Sequence, residues 1–434
     1  MMKTDQFLLE ELQHISKKIK GHSKELLNKD TAHTLTFQYE EIDFTELLNH
    51  VLCEKIFFFK SKYKNLSFLG LGQSQIIKAS ELSEYLVANP QNFLIATFLF
   101  EQDPNAAEFS LPEWSFLTQN GKTQLNIYPS FEYKNISLPN LFFNQNFDLE
   151  LYDPTLAPWT TYNELPEHDQ WEKMIAKCDE LFDQKKIQKI VLSRKKIFEY
   201  DDPISPIAFF KAILSANNNA NSSYAIFNQI NFEKAFISLT PEKLFSLENQ
   251  HFESIALAAS APRGKTIAED ESFEQLLNSS DKLAREHSLV TEEIIKKITP
   301  MAVSLTVFEL QTMKLPYIQH RSIPIHALMH PNITALELTK TLHPTPAVGG
   351  MPTALACKKF LELEPYARQS YAAPIGVVSL KYSELAVGIR SALIENNKLT
   401  IFGGAGIVKG SFAEDEWIET GIKMNPFLKV INHE

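Results

Sequence analysis

The residues best suited to chemistry gather in the stretch 402–423, FGGAGIVKGSFAEDEWIETGIK. Gly403, Gly404 and Gly406 crowd around one alanine, and glycine permits both φ > 0 and close backbone approach to a ligand. Ser411 offers a helix N-cap hydroxyl ahead of Glu414, Asp415 and Glu416, and acids suit a first turn. Glu416 and Glu419 lie three apart, and Glu419 and Lys423 four apart, which puts them on one helix face. Two readings follow. One is a capped surface helix with a single ion pair. The other is a magnesium-binding carboxylate set beside a glycine-rich turn that cradles an anionic substrate.

Five more positions carry chemistry. Lys189 sits mid-strand in IQKIVLSRKKIFEY, sharing a face with Val191 and Ser193. It is either an edge-strand solubiliser or, on a dry face, a neutral amine able to act as a base. Glu242 follows Thr240–Pro241 in FISLTPEKLFSL; it is a strand-end acid or an ornament of a helix N-terminus. Glu286 in REHSLVTEEIIKKI borders the apolar stripe of Leu289, Ile294, Ile295 and Ile298, so its carboxylate needs a partner or a metal, unless it only caps the helix. His320 falls in a strand pattern; taken singly it reads first as a satisfied structural histidine and second as a catalytic one. Arg390 interrupts the alternating strand ELAVGIRSALI; its fork of donors fits a carboxylate, on a substrate or on the protein surface.

These residues need a frame. Residues 6–28 show a helical stripe through Leu8, Leu12, Ile15 and Ile19. Short apolar runs at 56–59, 93–100 and 125–128 are broken by turn formers and predict strands. GLGQ at 70–73 lacks the third glycine of a nucleotide loop and predicts a turn. The proline-bearing 153–168 segment predicts a connector, followed by a helix over 169–185 and the Lys189 strand. A helix over 204–216 and strands at 224–227 and 235–239 come next. LHPTPAVGG, 342–350, with two prolines and two glycines, predicts a rigid turn into a helix from about Pro352.

Composition sets outer bounds. The 434 residues include 31 Phe and only 14 Gly, which predicts an aromatic-rich core. A net charge of −11 disfavours nucleic acid and leaves any anionic substrate to local cations or a metal. Three dispersed cysteines in no CxxC pattern predict a reducing compartment. The polar N-terminus lacks a signal core and no apolar run approaches the ~18 residues of a membrane span. A cytoplasmic location is expected.

In order, KIVLSR, TPEKLF, APRG, REHSLV, LHPTPAVGG, YAAPIG, GIRSALI and GAGIV…EWIETGIK resemble the chorismate-utilising enzyme family over about Trp171–Leu428. The resemblance implies an α+β fold: two large antiparallel β-sheets packed face to face, helices outside, the site between them. It implies an N-terminal, family-variable part over 1–165 and a chorismate-binding catalytic part over 166–434. It implies Mg²⁺ held by Glu286 and Glu419 with Glu416 close by. Arg390 and Tyr371 would hold the enolpyruvyl carboxylate with backbone near Gly404, and His320 and Lys423 would face the substrate. Lysine at 189 resembles members that add water to the ring, and Leu257-Ala258-Ala259 lacks the nucleophilic lysine of aminodeoxychorismate formers. The chain departs from the family at Ala259, Ala373, Ile323 and Val377.

The implied activity is isochorismate formation. Lys189, neutral, would take a proton from water attacking C2, and Glu242, protonated, would donate to the leaving C4 hydroxyl. Salicylate formation, with loss of pyruvate, and chorismate binding without catalysis are the alternatives. A monomer with no obligatory glutaminase subunit is expected.

Overall fold

The computed structural model describes residues 35–40, 42–48, 51–128, 158–217 and 222–431. The helix expected over 6–28 lies outside the described residues, as do 153–157 of the expected connector.

Two antiparallel sheets, of twelve and ten strands, make up the frame. Phe57, Phe59 and Phe68 from the larger sheet meet Ile95, Ile375 and Val377 from the smaller one in a shared buried cluster. The alternation of each strand explains this layering. In Ile56–Lys60, Phe57 and Phe59 face the other sheet, while Phe58 joins Phe210 and Phe227 under the outer helices Pro206–Ala216 and Ala413–Ile431. The abundant phenylalanine thus fills the layer between the sheets and a second one outside the larger sheet. The helices Asp281–Ile298, Ala335–Leu342 and Thr353–Leu363 belong to a third cluster, with strands of both sheets.

Strands from early and late in the chain share both sheets. Ile56–Lys60 pairs with Tyr224–Asn231, and Leu94–Thr97 pairs with Pro374–Val378. The chain changes sheet twice where it matters most. Lys234–Thr240 ends in the larger sheet, and after Pro241–Glu242 the strand Lys243–Glu248 begins in the smaller. Tyr382–Val387 leaves the smaller sheet, and after Gly388–Arg390 the strand Ser391–Glu395 enters the larger. The links are tied together: the Val387 amide donates to the Glu242 carbonyl at 3.0 Å, and the Leu239 amide to that of Arg390 at 3.0 Å.

Most expected elements are present, including the helices His168–Asp183 and Pro206–Ala216 and the hairpin of Tyr224–Asn231 with Lys234–Thr240. Three expectations need correction. The segment expected as a connector contains the strand Thr161–Leu165, which gains its ladder by pairing with Lys195–Glu199. Gly403, Gly404 and Gly406 form no turn; they lie within the strand Lys398–Val408. Arg390 stands outside any strand, in the sheet-crossing link, with φ +46, a conformation costly for a non-glycine residue.

Gly350 sets the position of the Lys189 strand. It pairs with Ile190, holds φ +118, and a Cβ there would strike the Lys189 carbonyl. Gly350→Ala is therefore expected to destabilise the fold by about 3 kcal/mol, read as a lowered midpoint in chemical unfolding.

Candidate active site

Nine of the expected site residues line one cavity between the sheets: Lys189, Glu242, Glu286, His320, Tyr371, Arg390, Gly404, Glu419 and Lys423. Its empty space is about 720 Å³ when the open mouth is counted. Glu416 does not line it; its carboxylate is buried close by, 3.4 Å from Lys282.

Lys189 faces inward and is 1% exposed. Its ammonium nitrogen lies 2.9 Å from Glu286 Oε1. The strand of Lys189 belongs to the larger sheet, whereas the helix of Glu286 sits on the smaller one, where His287 Nε2 meets the Ala256 carbonyl at 3.1 Å. This ion pair therefore bridges the two halves of the cleft.

Glu242 occupies the first sheet crossing, not a helix N-terminus. Burial pushes its carboxyl up to about 7, against the pull of Lys189, Thr345, Lys423 and Arg390. The Thr345 hydroxyl donates to Glu242 Oε1 at 3.4 Å. Thr345 belongs to the LHPTPAVGG turn, whose stiffness was legible but whose contact with the acid was not.

Arg390 donates to His320 Nε2 at 2.7 Å, so His320 carries its proton on Nδ1 and turns it to Ser260 Oγ at 3.0 Å. Burial first, then Arg390 and Lys423, hold this imidazole neutral, well below its ordinary value. Burial lowers Arg390 to about 10, which leaves it charged at neutral pH. Lys423 donates to the Gly404 carbonyl at 2.8 Å and pairs with Glu419 at 2.7 Å.

The glycines serve by closeness. A Cβ on Gly404 would sit 2.6 Å from the Tyr371 hydroxyl, and one on Gly406 would sit 2.6 Å from Glu286 Oε1. Their missing side chains open the cavity floor. Tyr371 itself stacks on Phe402 at 5.0 Å. Ser411 is not the residue next to the helix, which begins at Ala413; its hydroxyl accepts from the Val408 amide at 3.2 Å and contacts the Glu416 carboxylate. Ala259, where the resemblance places a glycine, holds φ +59 at a break in the strand register.

The acidic side of the cavity is crowded. Burial, then Glu419, raise Glu416 to about 7, with Glu286 adding to the repulsion. Carboxylate oxygens are the hard donors magnesium takes. As placed, each carboxylate meets a lysine, and among the described residues no three acidic, His or Cys side chains converge tightly enough to enclose a cation.

Sequence reasoning missed a buried clamp in the cavity wall. Arg368 binds Glu364 through 2.6 Å and 2.9 Å contacts and donates to the carbonyls of Val348 and Val191, each at 2.7 Å. Glu364 also accepts from the Ser193 amide at 2.7 Å. The clamp joins the Lys189 strand to the turn bearing Thr345. Only the i,i+4 spacing of the pair hinted at it.

The sequence pattern of the chorismate binding enzymes matches residues 101–432. The chain belongs to the chorismate binding enzyme family. It is 31% identical over 268 residues to isochorismate synthase MenF of Bacillus subtilis (strain 168), covering 61% of this chain and 56% of that relative. The match thus spans little more than half of the relative's length. A second relative, isochorismate synthase MenF of Haemophilus influenzae, is 26% identical over 420 residues, 96% of each chain. The solved structure of MenF, the menaquinone-specific isochorismate synthase from Escherichia coli, superposes with a TM-score of 0.84 at 21% identity, covering 96% of this chain and 99% of that one. That likeness establishes the family's two-sheet fold here.

Two predictions follow from the buried groups. Glu364→Gln leaves the buried Arg368 guanidinium without its counter-charge and should cost about 3–5 kcal/mol of stability, measured by urea unfolding. The ring nitrogens of the half-buried His343 are shielded from solvent with no hydrogen-bond partner, and burial holds the imidazole neutral down to about 3. Its unfolded form binds a proton below about 6.5. Stability is therefore complete above that pH and declines as pH falls from about 6.5 towards 3. His343→Gln should flatten this acid limb in thermal melts recorded between pH 7 and about 4.5.

Proposed function

We propose that the protein converts chorismate to isochorismate, an isomerisation that adds water at C2 and expels the C4 hydroxyl. The supporting observation is a buried carboxyl, raised by burial to about 7, in the same cavity as a buried lysine. The names of its relatives point the same way.

In this reading Arg390 grips the enolpyruvyl carboxylate, with Tyr371, His320 and the backbone at Gly404 completing that wall. The neutral His320 fixes the guanidinium and adds no charge of its own. Lys189, released from Glu286, takes the proton of the attacking water as the C2–O bond forms. The ring double bonds shift, and the C4–O bond breaks as Glu242 gives its proton to the departing hydroxyl. Thr345 keeps Glu242 aimed into the cavity. Solvent returns the proton from the lysine to the glutamate, so no net water is consumed.

Magnesium is the proposed cofactor, with Glu286 and Glu419 as its carboxylates and Glu416 behind them. Bound there, it would offset the charge of the ring carboxylate. Lys423, shared between Glu419 and the Gly404 carbonyl, would hold that helix face against the cavity floor. The proposal extends to a monomeric protein acting in the cytoplasm without a glutaminase subunit. Among the described residues no helix is long and apolar enough to cross a membrane.

Chromatography of products from chorismate, with Mg²⁺ and with chelator, tests the assignment. Isochorismate without pyruvate, formed only with the metal, is expected; pyruvate release would make the reaction salicylate formation instead. Lys189→Ala and Glu242→Gln should each lower kcat at least about 10²-fold while chorismate still binds. Because Glu242 must be protonated, kcat/KM should fall as pH rises through about 7, and this limb should vanish in Glu242→Gln. A normal rate in either variant removes that residue from its role.

A further inference from the structure

Where the strand His251–Pro262 passes the cavity it carries one residue more than its partner Ile318–Met329. Ala258 pairs with Arg321 and Ser260 with His320, so Ala259 is the extra residue, and it takes φ +59. That backbone is costly for a residue with a side chain. An even register would set Ala259 opposite His320 and Ser260 opposite Gln319. Directly opposed residues of an antiparallel pair put their side chains on one face. The bulge therefore brings a hydroxyl, not a methyl, alongside the imidazole. Both Ser260 and His320 line the cavity.

The direction of the hydrogen bonds fixes what this hydroxyl can do. Arg390 has only donors, and it donates to His320 Nε2 at 2.7 Å, so the ring proton is on Nδ1. Nδ1 then has no lone pair to offer. In its 3.0 Å contact with Ser260 Oγ the serine must accept. Among the described residues Ser260 Oγ has no second hydrogen-bond partner. Its own hydrogen is thus left without an acceptor on the protein, on a half-buried side chain at the cavity wall. Arg390 and Ser260 stand at opposite nitrogens of one imidazole. The ring holds them apart, so they reach different oxygens of a bound molecule.

We propose that Ser260 is a substrate-binding residue: its hydroxyl donates a hydrogen bond to an oxygen of the bound acid other than the carboxylate that Arg390 holds. The inference deepens, and rests on, the reading of the cavity as a chorismate site. His320 becomes a spacer between two donors, and by giving its one ring proton to Ser260 it keeps the hydroxyl a donor.

Ser260→Ala removes the donor, and Ser260→Cys replaces it with a weak one of similar size. Chorismate Kd by calorimetry, kcat and KM by product analysis, and nitrogen NMR shifts of the His320 ring are compared in the native protein and both variants. The expected result is a Kd and KM raised about tenfold in Ser260→Ala, a smaller rise in Ser260→Cys, and a ring proton that stays on Nδ1 in both. A native protein that is active, with Kd and KM unchanged in Ser260→Ala, overturns this inference alone. A raised Kd with the ring proton moved to Nε2 also overturns it, since Ser260 would then act through His320. A native protein that binds chorismate in a Ser260-dependent way, its ring proton unmoved, without making isochorismate overturns the assigned reaction and upholds the role of Ser260. Failure of the native protein to bind chorismate overturns both.

Discussion

The contact between Lys189 and Glu286 is the constraint around which the molecule is arranged. One partner belongs to the larger sheet and the other to a helix resting on the smaller sheet. Buried ion pairs contribute little net stability, because desolvation offsets most of their attraction. The surroundings therefore have to hold this pair in place by other means. The phenylalanine layers press the sheets together, and the Arg368–Glu364 clamp fixes the Lys189 strand through the Val191 carbonyl and the Ser193 amide. Burial has a second effect: it raises the carboxyls of Glu242 and Glu416 to about 7.

The cavity itself is made by subtraction. Gly404 and Gly406 lie in an ordinary strand whose backbone any residue could adopt, yet a single added carbon would meet Tyr371 at one and Glu286 at the other. The opposite wall is made by addition, with Glu242, Arg390 and His320 reaching in from links and strands of both sheets. The Thr345 turn closes one side with a hydroxyl on the acid.

Much of this was legible in the sequence, for identifiable reasons. Alternation located the Lys189 strand, and 3.6-residue periodicity located the Glu286 helix, because both signals are local. The conjunction of motifs located the family and the two-sheet fold. The misreadings were non-local. The glycines suggested a turn because the true requirement of Gly404 and Gly406, proximity to Tyr371 and Glu286, comes from chain far away in sequence. Arg390 read as a strand residue because a two-sheet crossing looks like a pattern defect when only one strand is in view. Thr161–Leu165 read as connector because its ladder is supplied wholly by Lys195–Glu199. Arg368 passed unnoticed because burial of an arginine is visible only once its carbonyl partners are in place.

The two links that carry Glu242 and Arg390 between sheets are laced by a pair of backbone hydrogen bonds. The placement of the carboxyl and of the guanidinium is thereby tied to the registry of the two sheets, so shear between them bears on the pocket as well as on the hydrophobic layers.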